Sequence, residues 1–171
     1  MTLDKTSEAA QQWLLSVLQQ LGINTDVHLG APDICKDKFK EYGGIWLTIE
    51  SEGLSDVMLE KLIGDRGRQL DALQTLLNVT MNLNAGDDDR QLFTVECNEF
   101  RTSRYSELAD MAVTAAEEVR SSQQDYEMPP MSSAERRLVH TLLVDDVDLT
   151  TYSRGQDRDR RLIVTLAAAS S

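Results

Sequence analysis

Cysteine, proline and long apolar runs are all scarce in this sequence. Its two cysteines, Cys35 and Cys97, have no further Cys or His at metal-ligand spacing, so we expect two buried or half-exposed thiols, no metal and no cofactor. Three prolines and nine glycines, beside 41% hydrophobic and 27% charged residues, exclude the disordered and fibrous classes. No apolar run approaches the roughly 18 residues of a membrane span, and no basic-then-apolar leader opens the chain. We therefore expect a cytoplasmic protein with no membrane insertion.

Basic residues are outnumbered, with 17 Lys and Arg against 29 Asp and Glu and a net charge of -12. Such a surface does not attract nucleic acid everywhere, because phosphate affinity comes largely from Lys and Arg displacing counterions. The charge is uneven, however: residues 1–99 carry 8 basic and 17 acidic side chains, whereas residues 131–171 carry 6 of each. The neutral part contains a local positive spot, formed by Arg154, Arg158, Arg160 and Arg161.

Aromatic residues are also few, at 5% of the chain, which leaves little material for stacking on bases. Trp13 falls within the apolar stripe of a predicted helix and is expected in the core. Trp46 is predicted to point away from the apolar side of its strand. We expect a neighbouring element to cover it, rather than a base to stack on it.

The spacing of apolar residues predicts an α+β chain that begins with the order αββααβ. Apolar side chains recur at helical spacing in residues 10–21, and they alternate with polar ones in residues 25–29, 45–49 and 92–97, as in half-buried strands. Two short helices fall between the second and third strands. This order predicts a three-stranded sheet with its helices on one face. The polar segment from Gly30 to Gly44 is predicted to be a solvated loop.

The chain is predicted to hold two domains joined by a helix. An Ala-rich stretch begins at Phe100 and fits a connecting helix, so we assign residues 1–99 to the first domain and 100–125 to the connection. Two adjacent prolines at 129 and 130 cannot continue a helix and indicate an extended link. We assign residues 126–171 to a second, small α/β domain.

A glycine pair separates the two short helices of the first domain, in the sequence Gly64-Asp65-Arg66-Gly67. Glycines let the backbone turn tightly and let phosphates approach, and the start of the next helix offers free N–H donors to an anion. A loop of this kind between two helices clamps the nucleotide backbone in KH domains. The same residues also fit an ordinary helix-to-helix turn with glycine at the cap.

A capped helix in the second domain places an arginine and a histidine on one face. Ser132 and Glu135 match the capping box S-x-x-E. Arg136 and His140 are four residues apart and therefore share a side of this helix. A phosphate would suit both heads, although the pair also fits a solvated helix face.

Two strands are predicted after this helix, in residues 150–154 and 160–166, with a polar turn between them. This segment adds a hydroxyl, a flexible turn and guanidiniums, which together can hold phosphate and sugar oxygens. No recognisable nucleophile or orienting acid accompanies His140, so we expect no enzymatic activity and no catalytic residue.

The order of these motifs resembles the bacterial Jag-type family, which joins a type II KH domain to an Arg-xxx-His (R-3-H) domain. The resemblance is carried by residues 62–74, by Arg101 and Arg104 after the third predicted strand, and by residues 131–140. Residues 151–161 also fit. Motifs that are spaced and in the right order are more specific than any one alone.

The resemblance implies binding of single-stranded RNA, or single-stranded DNA, by recognition of the backbone. It implies post-transcriptional regulation linked to growth or cell shape, with a separate small KH-only protein or a second copy of the chain as partner. The expected RNA contacts in the KH loop are Gly64, Asp65, Arg66, Gly67 and Arg68. Those in the R-3-H domain are Arg136, Arg137, His140, Ser153, Arg154, Gly155, Arg160 and Arg161, with Arg101 and Arg104 as auxiliary contacts.

Two departures from the family pattern bear on affinity. Many members carry a further N-terminal domain, whereas this sequence begins at the KH helix. Asp65 occupies a loop position where the family often has Lys, and a carboxylate about 5 Å from a phosphate costs roughly 1 to 3 kcal/mol. Arg66 and Arg68 offset this cost in part. We therefore expect the C-terminal domain to contribute more to RNA affinity.

Two other functions fit the sequence less well. A protein-interaction adaptor, whose KH domain has lost RNA affinity, would tolerate the negative charge and Asp65. An RNA-processing hydrolase would need a metal cluster or an acid–base pair, and neither is evident.

Overall fold

The computed structural model describes residues 3–33 and 35–167. The chain divides into two compact units, Met1–Ser103 and Arg104–Ser171, called here the first and the second unit. Each unit combines helices with its own three-stranded sheet, so the α+β class predicted from the sequence is confirmed. Among the described residues, no helix combines the length and apolarity needed to span a membrane.

The first unit follows the predicted order of elements with one helix added. Its elements are α1 (Leu3–Gln20), β1 (Val27–Leu29), α2 (Asp37–Gly43), β2 (Ile45–Ile49), α3 (Asp56–Ile63), α4 (Arg68–Met81), β3 (Phe93–Cys97) and the first turn of α5 (Phe100–Ser122). The central strand is β2, which runs antiparallel to β1 and parallel to β3. A parallel pair needs a long crossover, and α3 and α4 form it.

The main core of the first unit lies between one face of this sheet and the helices. Ala10, Leu14 and Leu18 are fully buried and lie four residues apart, on one side of α1. Leu47 and Ile49 alternate along β2 and point into the same core. The other buried members of this core are Ile23, Val27, Leu62, Leu70, Leu73, Leu77, Phe93, Val95 and Cys97.

The opposite face of the sheet is covered by α2. The indole Nε1 of Trp46 donates a hydrogen bond to the carbonyl of Lys40 at 3.1 Å. Thr94, which lies opposite Trp46 on β3, donates to the carbonyl of Gly43 at 2.7 Å. Trp46 is buried, so the expectation that a neighbouring element covers this ring is confirmed.

Two predictions about this region are wrong. The segment from Gly30 to Gly44 is not only a solvated loop, because it contains α2, and the helices do not all lie on one face of the sheet. The polar composition of the segment concealed two buried side chains, Cys35 and Phe39, and Phe39 lies within the helix. Burial of one large aromatic ring outweighs weak helix propensity over a few residues.

A buried carboxylate holds the start of α5 against β3. One oxygen of Glu96 accepts hydrogen bonds from the backbone N–H groups of Cys97 at 2.7 Å and Arg101 at 3.1 Å. The other oxygen accepts from the backbone N–H of Thr102 at 2.9 Å and from its hydroxyl at 3.0 Å. Glu96 is fully buried. These donors compensate its charge, and two of them, the backbone N–H groups of Arg101 and Thr102, belong to the first turn of α5, where helix geometry otherwise leaves such groups unpaired.

The second unit contains the rest of α5, then β4 (Tyr126–Pro130), α6 (Ser133–Leu142), β5 (Leu149–Arg154) and β6 (Arg161–Leu166). The strands form an antiparallel sheet in the order β4–β6–β5. The segment predicted as an extended link is therefore an edge strand. An edge position tolerates Pro129 and Pro130, since proline has no N–H to donate to a neighbour.

The two faces of this sheet carry different residues. The face that meets α6, called here the helix face, is fixed by a contact between His140 and Thr151. Side chains alternate along a strand, so every second residue of β5 belongs to the helix face. The cross-strand pairs on the helix face are Thr151 with Val164 and Ser153 with Leu162. The pairs on the opposite face, called here the Tyr152 face, are Tyr152 with Ile163 and Arg154 with Arg161.

Candidate nucleic-acid interface

The loop between α3 and α4 depends on residues in the left-handed region. Gly64 ends α3 with φ 75°, and its N–H donates to the carbonyl of Glu60 at 2.7 Å. Arg66 and Gly67 follow with φ 53° and 78°. A Cβ at Gly67 would collide with the ring of Phe100. Gly67 is therefore required both by its backbone conformation and by close packing.

The exposed part of this loop is its charged side chains. Asp65, Arg66 and Arg68 are exposed, whereas Gly67 is buried and Gly64 is half-buried. Arg66 Nε lies 3.8 Å from the Asp65 carboxylate, a distance at which an exposed pair attracts only weakly. The glycines thus shape the turn, and a ligand would meet one carboxylate and two guanidiniums.

The helix α6 begins with the capping box that the sequence predicts. The Ser132 hydroxyl accepts from the backbone N–H of Glu135 at 3.3 Å, and the Glu135 carboxylate accepts from the backbone N–H of Ser132 at 2.7 Å. Two of the unpaired N–H groups at the helix start are satisfied in this way. The cap fixes the direction from which Arg136 and His140 leave the helix.

Arg136 points back to the start of its own helix. Its guanidinium donates to the carbonyl of Met131 at 2.6 Å and to the hydroxyl of Ser133 at 3.0 Å. Arg136 is only 8% exposed. Burial, and then the positive charge of nearby Arg160, lower the pKa of the Arg136 guanidinium. Arg136 therefore braces α6 and contributes positive charge from beneath the surface.

His140 is exposed and lies beside the sheet. Its Nδ1 is 2.6 Å from the Thr151 hydroxyl, so this nitrogen is engaged within the protein. In the described part of the chain Nε2 has no hydrogen-bond partner. Ser153 is exposed on the same face of β5, two residues beyond Thr151. The helix face thus offers an imidazole and a hydroxyl to a ligand.

Two arginines near the helix face are exposed and carry unneutralised charge. Arg137 follows Arg136 on α6, and Arg160 precedes β6 and acts electrostatically on Arg136. Neither forms an ion pair with any other residue that the structure describes. The turn before Arg160 contains Gly155 with φ 91°, while the side chain of Arg158 lies outside the described part.

The predicted cluster is divided between the two faces of the sheet. His140, Ser153 and Arg160 lie toward the helix face, whereas Arg154 and Arg161 lie on the Tyr152 face. The reason is the alternation of side chains, which sends the neighbours Ser153 and Arg154 to opposite sides of β5. The residues expected from the sequence to contact RNA therefore lie on two faces of the sheet, and their role as contacts stays a prediction.

The auxiliary arginines are held by acids within the protein. Arg101 is buried and forms an ion pair with Asp71, with 2.6 Å between nitrogen and oxygen. Arg104 donates to Glu135 at 2.6 Å and to Glu107 at 2.9 Å, and these carboxylates outweigh its partial burial to raise the pKa of Arg104. These contacts support α4 and the capping box, and the auxiliary role of both arginines in RNA binding stays a prediction.

The part of the chain that the structure describes has no group of three His, Cys, Asp or Glu side chains placed to hold a metal ion. Cys35 and Cys97 are buried as free thiols. Burial raises the pKa of both thiols, that of Cys97 to about 12. These thiols are structural, since nucleophilic cysteines have a lowered pKa.

Comparison with known proteins identifies a domain family in the second unit. The family model of the R-3-H domain matches residues 106–166, a span that includes most of α5 as well as the sheet and α6. The apolar spacing of the sequence predicts residues 100–125 as a connection, whereas the matched span takes in residues 106–122 of α5. Its apolar stripe, with Leu108, Ala112 and Ala115 buried, was the signal for a core role.

Several curated relatives are similar over a larger part of the chain. The RNA-binding protein KhpB of Lactiplantibacillus plantarum is 28% identical over 154 residues, which is 90% of this chain and 43% of that protein. KhpB of Bacillus subtilis is 31% identical over 106 residues, or 61% of this chain and 50% of the relative. KhpB of Clostridium symbiosum is 32% identical over 105 residues, or 61% and 46%. The chain thus spans half or less of the length of these relatives. It carries an R-3-H domain, and its resemblance to the Jag-type family, to which the KhpB proteins belong, is confirmed.

Proposed function

We propose that this chain binds single-stranded RNA through its phosphate backbone and acts as a non-enzymatic post-transcriptional regulator in the cytoplasm, linked to growth or cell shape. The observation that carries the proposal is the exposed group at the helix face: Arg137, His140 and Arg160. These residues keep a positive charge or a free ring nitrogen on a chain of net charge -12. The names of the relatives, all RNA-binding proteins, support it.

The helix face suits a phosphate more than a base edge. Guanidiniums form strong, charge-assisted hydrogen bonds to phosphate oxygens, and the His140 Nε2 and Ser153 hydroxyl can bond to phosphate or sugar. Such contacts fix the position of a strand without reading its sequence. We therefore propose affinity that depends strongly on salt and weakly on sequence.

We propose that the first unit contributes a type II KH domain over residues 1–99. The element order and the Gly64–Gly67 loop support this. The loop has two exposed arginines, but the exposed carboxylate of Asp65 beside Arg66 repels an incoming phosphate. We therefore propose that the KH loop assists binding and that the R-3-H domain contributes the larger share.

We further propose that the partner, a small KH-only protein or a second copy of the chain, docks on α4. Leu76, Val79 and Leu83 are exposed at spacings of three and four residues, so they form an apolar stripe on and just beyond this helix. The stripe contains no charged residue, which allows an acidic surface to approach it. If so, Leu76→Glu lowers the sedimentation coefficient of a self-associated chain or abolishes binding of the KH-only protein.

Fluorescence anisotropy with a short single-stranded RNA at two salt concentrations tests RNA binding. We expect binding at low salt and a steep loss at high salt, because counterions are released at each phosphate contact. Replacing both Arg137 and Arg160 with Gln should reduce the slope of log affinity against log salt by about 1.4, since each phosphate contact to a single strand contributes about 0.7. Absence of binding at low salt would favour the adaptor instead.

A control separates binding from processing. Labelled RNA incubated with the protein and magnesium should remain intact.

Asp145→Asn is a suitable charge control for the arginine variants, since Asp145 is exposed and forms no ion pair with any described residue. Its salt slope should equal that of the wild type.

A further inference from the structure

The Tyr152 face of the second sheet holds an aromatic ring and two guanidiniums, each bound by an acid. Arg154 on β5 and Arg161 on β6 lie directly opposite each other. Both bind the same carboxylate, that of Glu127 on β4: Arg154 contacts one oxygen, and Arg161 lies 3.2 Å from the other. One carboxylate thus bridges two guanidiniums across all three strands of the sheet.

Tyr152 crosses the sheet in the same direction. Its hydroxyl donates to the carboxylate of Asp125 at 3.3 Å, on the far side of β6 from β5. The side chain therefore extends over Ile163, its cross-strand neighbour, which is buried. Tyr152 itself is 44% exposed. The ring covers an apolar residue on one side and meets solvent on the other.

The chemistry of this arrangement matches that of a nucleotide. A carboxylate held by two guanidiniums occupies the place that a phosphate would take, because both anions accept paired N–H donors from arginine. The neighbouring exposed ring can stack on a base. Glu127 and both arginines remain partly exposed, so exchanging the carboxylate for a phosphate requires no opening of the core.

We propose that the Tyr152 face is a second single-stranded RNA surface, distinct from the helix face, on which Glu127 holds the phosphate position until RNA displaces it. This inference rests on the proposed RNA binding and adds a site and a built-in competitor to it. An acidic peptide would use the two arginines but has no need of the ring. RNA uses both, since each nucleotide offers a phosphate and a base.

The test uses the full chain and a fluorescein-labelled oligouridine of about 12 nucleotides, within the range of single-strand sites. Glu127→Gln removes the competing charge and should tighten binding roughly twofold to fivefold, the range expected for one exposed ion pair. Asp145→Asn removes the same charge from the same unit and should change affinity less. Tyr152→Ala should weaken binding about fivefold or more, whereas Tyr152→Phe keeps the ring and should bind at least as well as the wild type.

Circular dichroism and the midpoint of urea unfolding confirm that each variant is folded. If the wild type binds but Glu127→Gln equals Asp145→Asn and Tyr152→Ala equals the wild type, this inference is overturned while the helix-face site stands. A wild type that does not bind RNA overturns both proposals. An oligoglutamate that loses affinity for Tyr152→Ala while RNA does not would assign the face to an acidic protein and also overturn the inference.

Discussion

The guanidinium nitrogen Nη1 of Arg101 lies 2.6 Å from the carboxylate oxygen Oδ1 of Asp71 inside the first unit, as an ion pair. The Arg101 side chain is only 3% exposed, and its Nε also donates to the carbonyl of Val95 at 3.3 Å. The pair joins the first turn of α5 to α4. A buried ion pair of this kind is costly to break from one side, because the remaining charge is left without its partner.

Arg101→Met should therefore lower the free energy of unfolding by about 1 to 3 kcal/mol, less than for a fully buried pair because Asp71 keeps some contact with solvent. Urea unfolding measures the change. Arg68→Met is the matched control: Arg68 is exposed, so this variant should keep its stability and lose RNA affinity. If the folded Arg101→Met variant binds RNA more weakly than the wild type, Arg101 contributes to RNA binding.

Gly67→Ala should destabilise the first unit more than Gly53→Ala does. Both glycines have positive φ, 78° and 86°, but only at Gly67 would a Cβ meet another group, the ring of Phe100. Strain at positive φ is common to both variants. The difference between their losses in free energy of unfolding therefore reports the collision with Phe100 alone. We expect a difference of about 1 to 3 kcal/mol, measured by urea unfolding. Equal losses would show that Phe100 moves aside at little cost.

Asp65→Lys should tighten RNA binding. The carboxylate lies in the exposed loop beside Arg66, and reversing its charge removes repulsion of a phosphate that is worth roughly 1 kcal/mol after screening by salt. Glu8→Lys makes the same change of charge on α1, a helix that does not flank the loop. If a titration shows equal gains in affinity for the two variants, or no gain for Asp65→Lys, the Gly64–Gly67 loop does not contact the RNA phosphates.

Stability should fall at alkaline pH because of Cys97. Burial raises the pKa of this thiol to about 12, whereas a thiol in the unfolded chain ionises near about 8.5. The protonated, buried thiol thus favours the folded state fully below about 8.5, and this contribution is lost as the pH rises from there toward 12. We expect the difference in free energy of unfolding between the wild type and Cys97→Ala to decrease over that range. It is measured with reductant present. A gap independent of pH would contradict the assignment.

Much of the fold follows from local patterns in the sequence, and the exceptions have identifiable causes. The capping box at Ser132 and the helical stripe of α1 are properties of a few neighbouring residues, and both are found in the structure. In contrast, α2 depends on the burial of Phe39, and β4 depends on pairing with β6, which lies more than thirty residues on. Neither contact has a local signature.

The site could be predicted by residue type but not by orientation. The sequence indicates a cluster of arginines around a turn. Side chains alternate along β5, so the pairing of this strand decides which face of the sheet each residue occupies. Ser153 and Arg154 lie on opposite faces for this reason. Likewise, the burial of Arg136 follows from its bonds to Met131 and Ser133, which spacing alone does not reveal. The contact of Glu127 with both Arg154 and Arg161 depends on the side-by-side pairing of β4, β6 and β5, which the sequence does not reveal.

The four donors gathered by Glu96 also bear on how the first unit opens. The Glu96 carboxylate accepts hydrogen bonds from both β3 and the first turn of α5. Local unfolding of either segment therefore breaks hydrogen bonds to a buried carboxylate. Fraying at this junction is therefore suppressed. The amides of Cys97, Arg101 and Thr102 should exchange with deuterium at nearly the same slow rate, as members of one cooperative unit rather than as the end of one element and the beginning of the next.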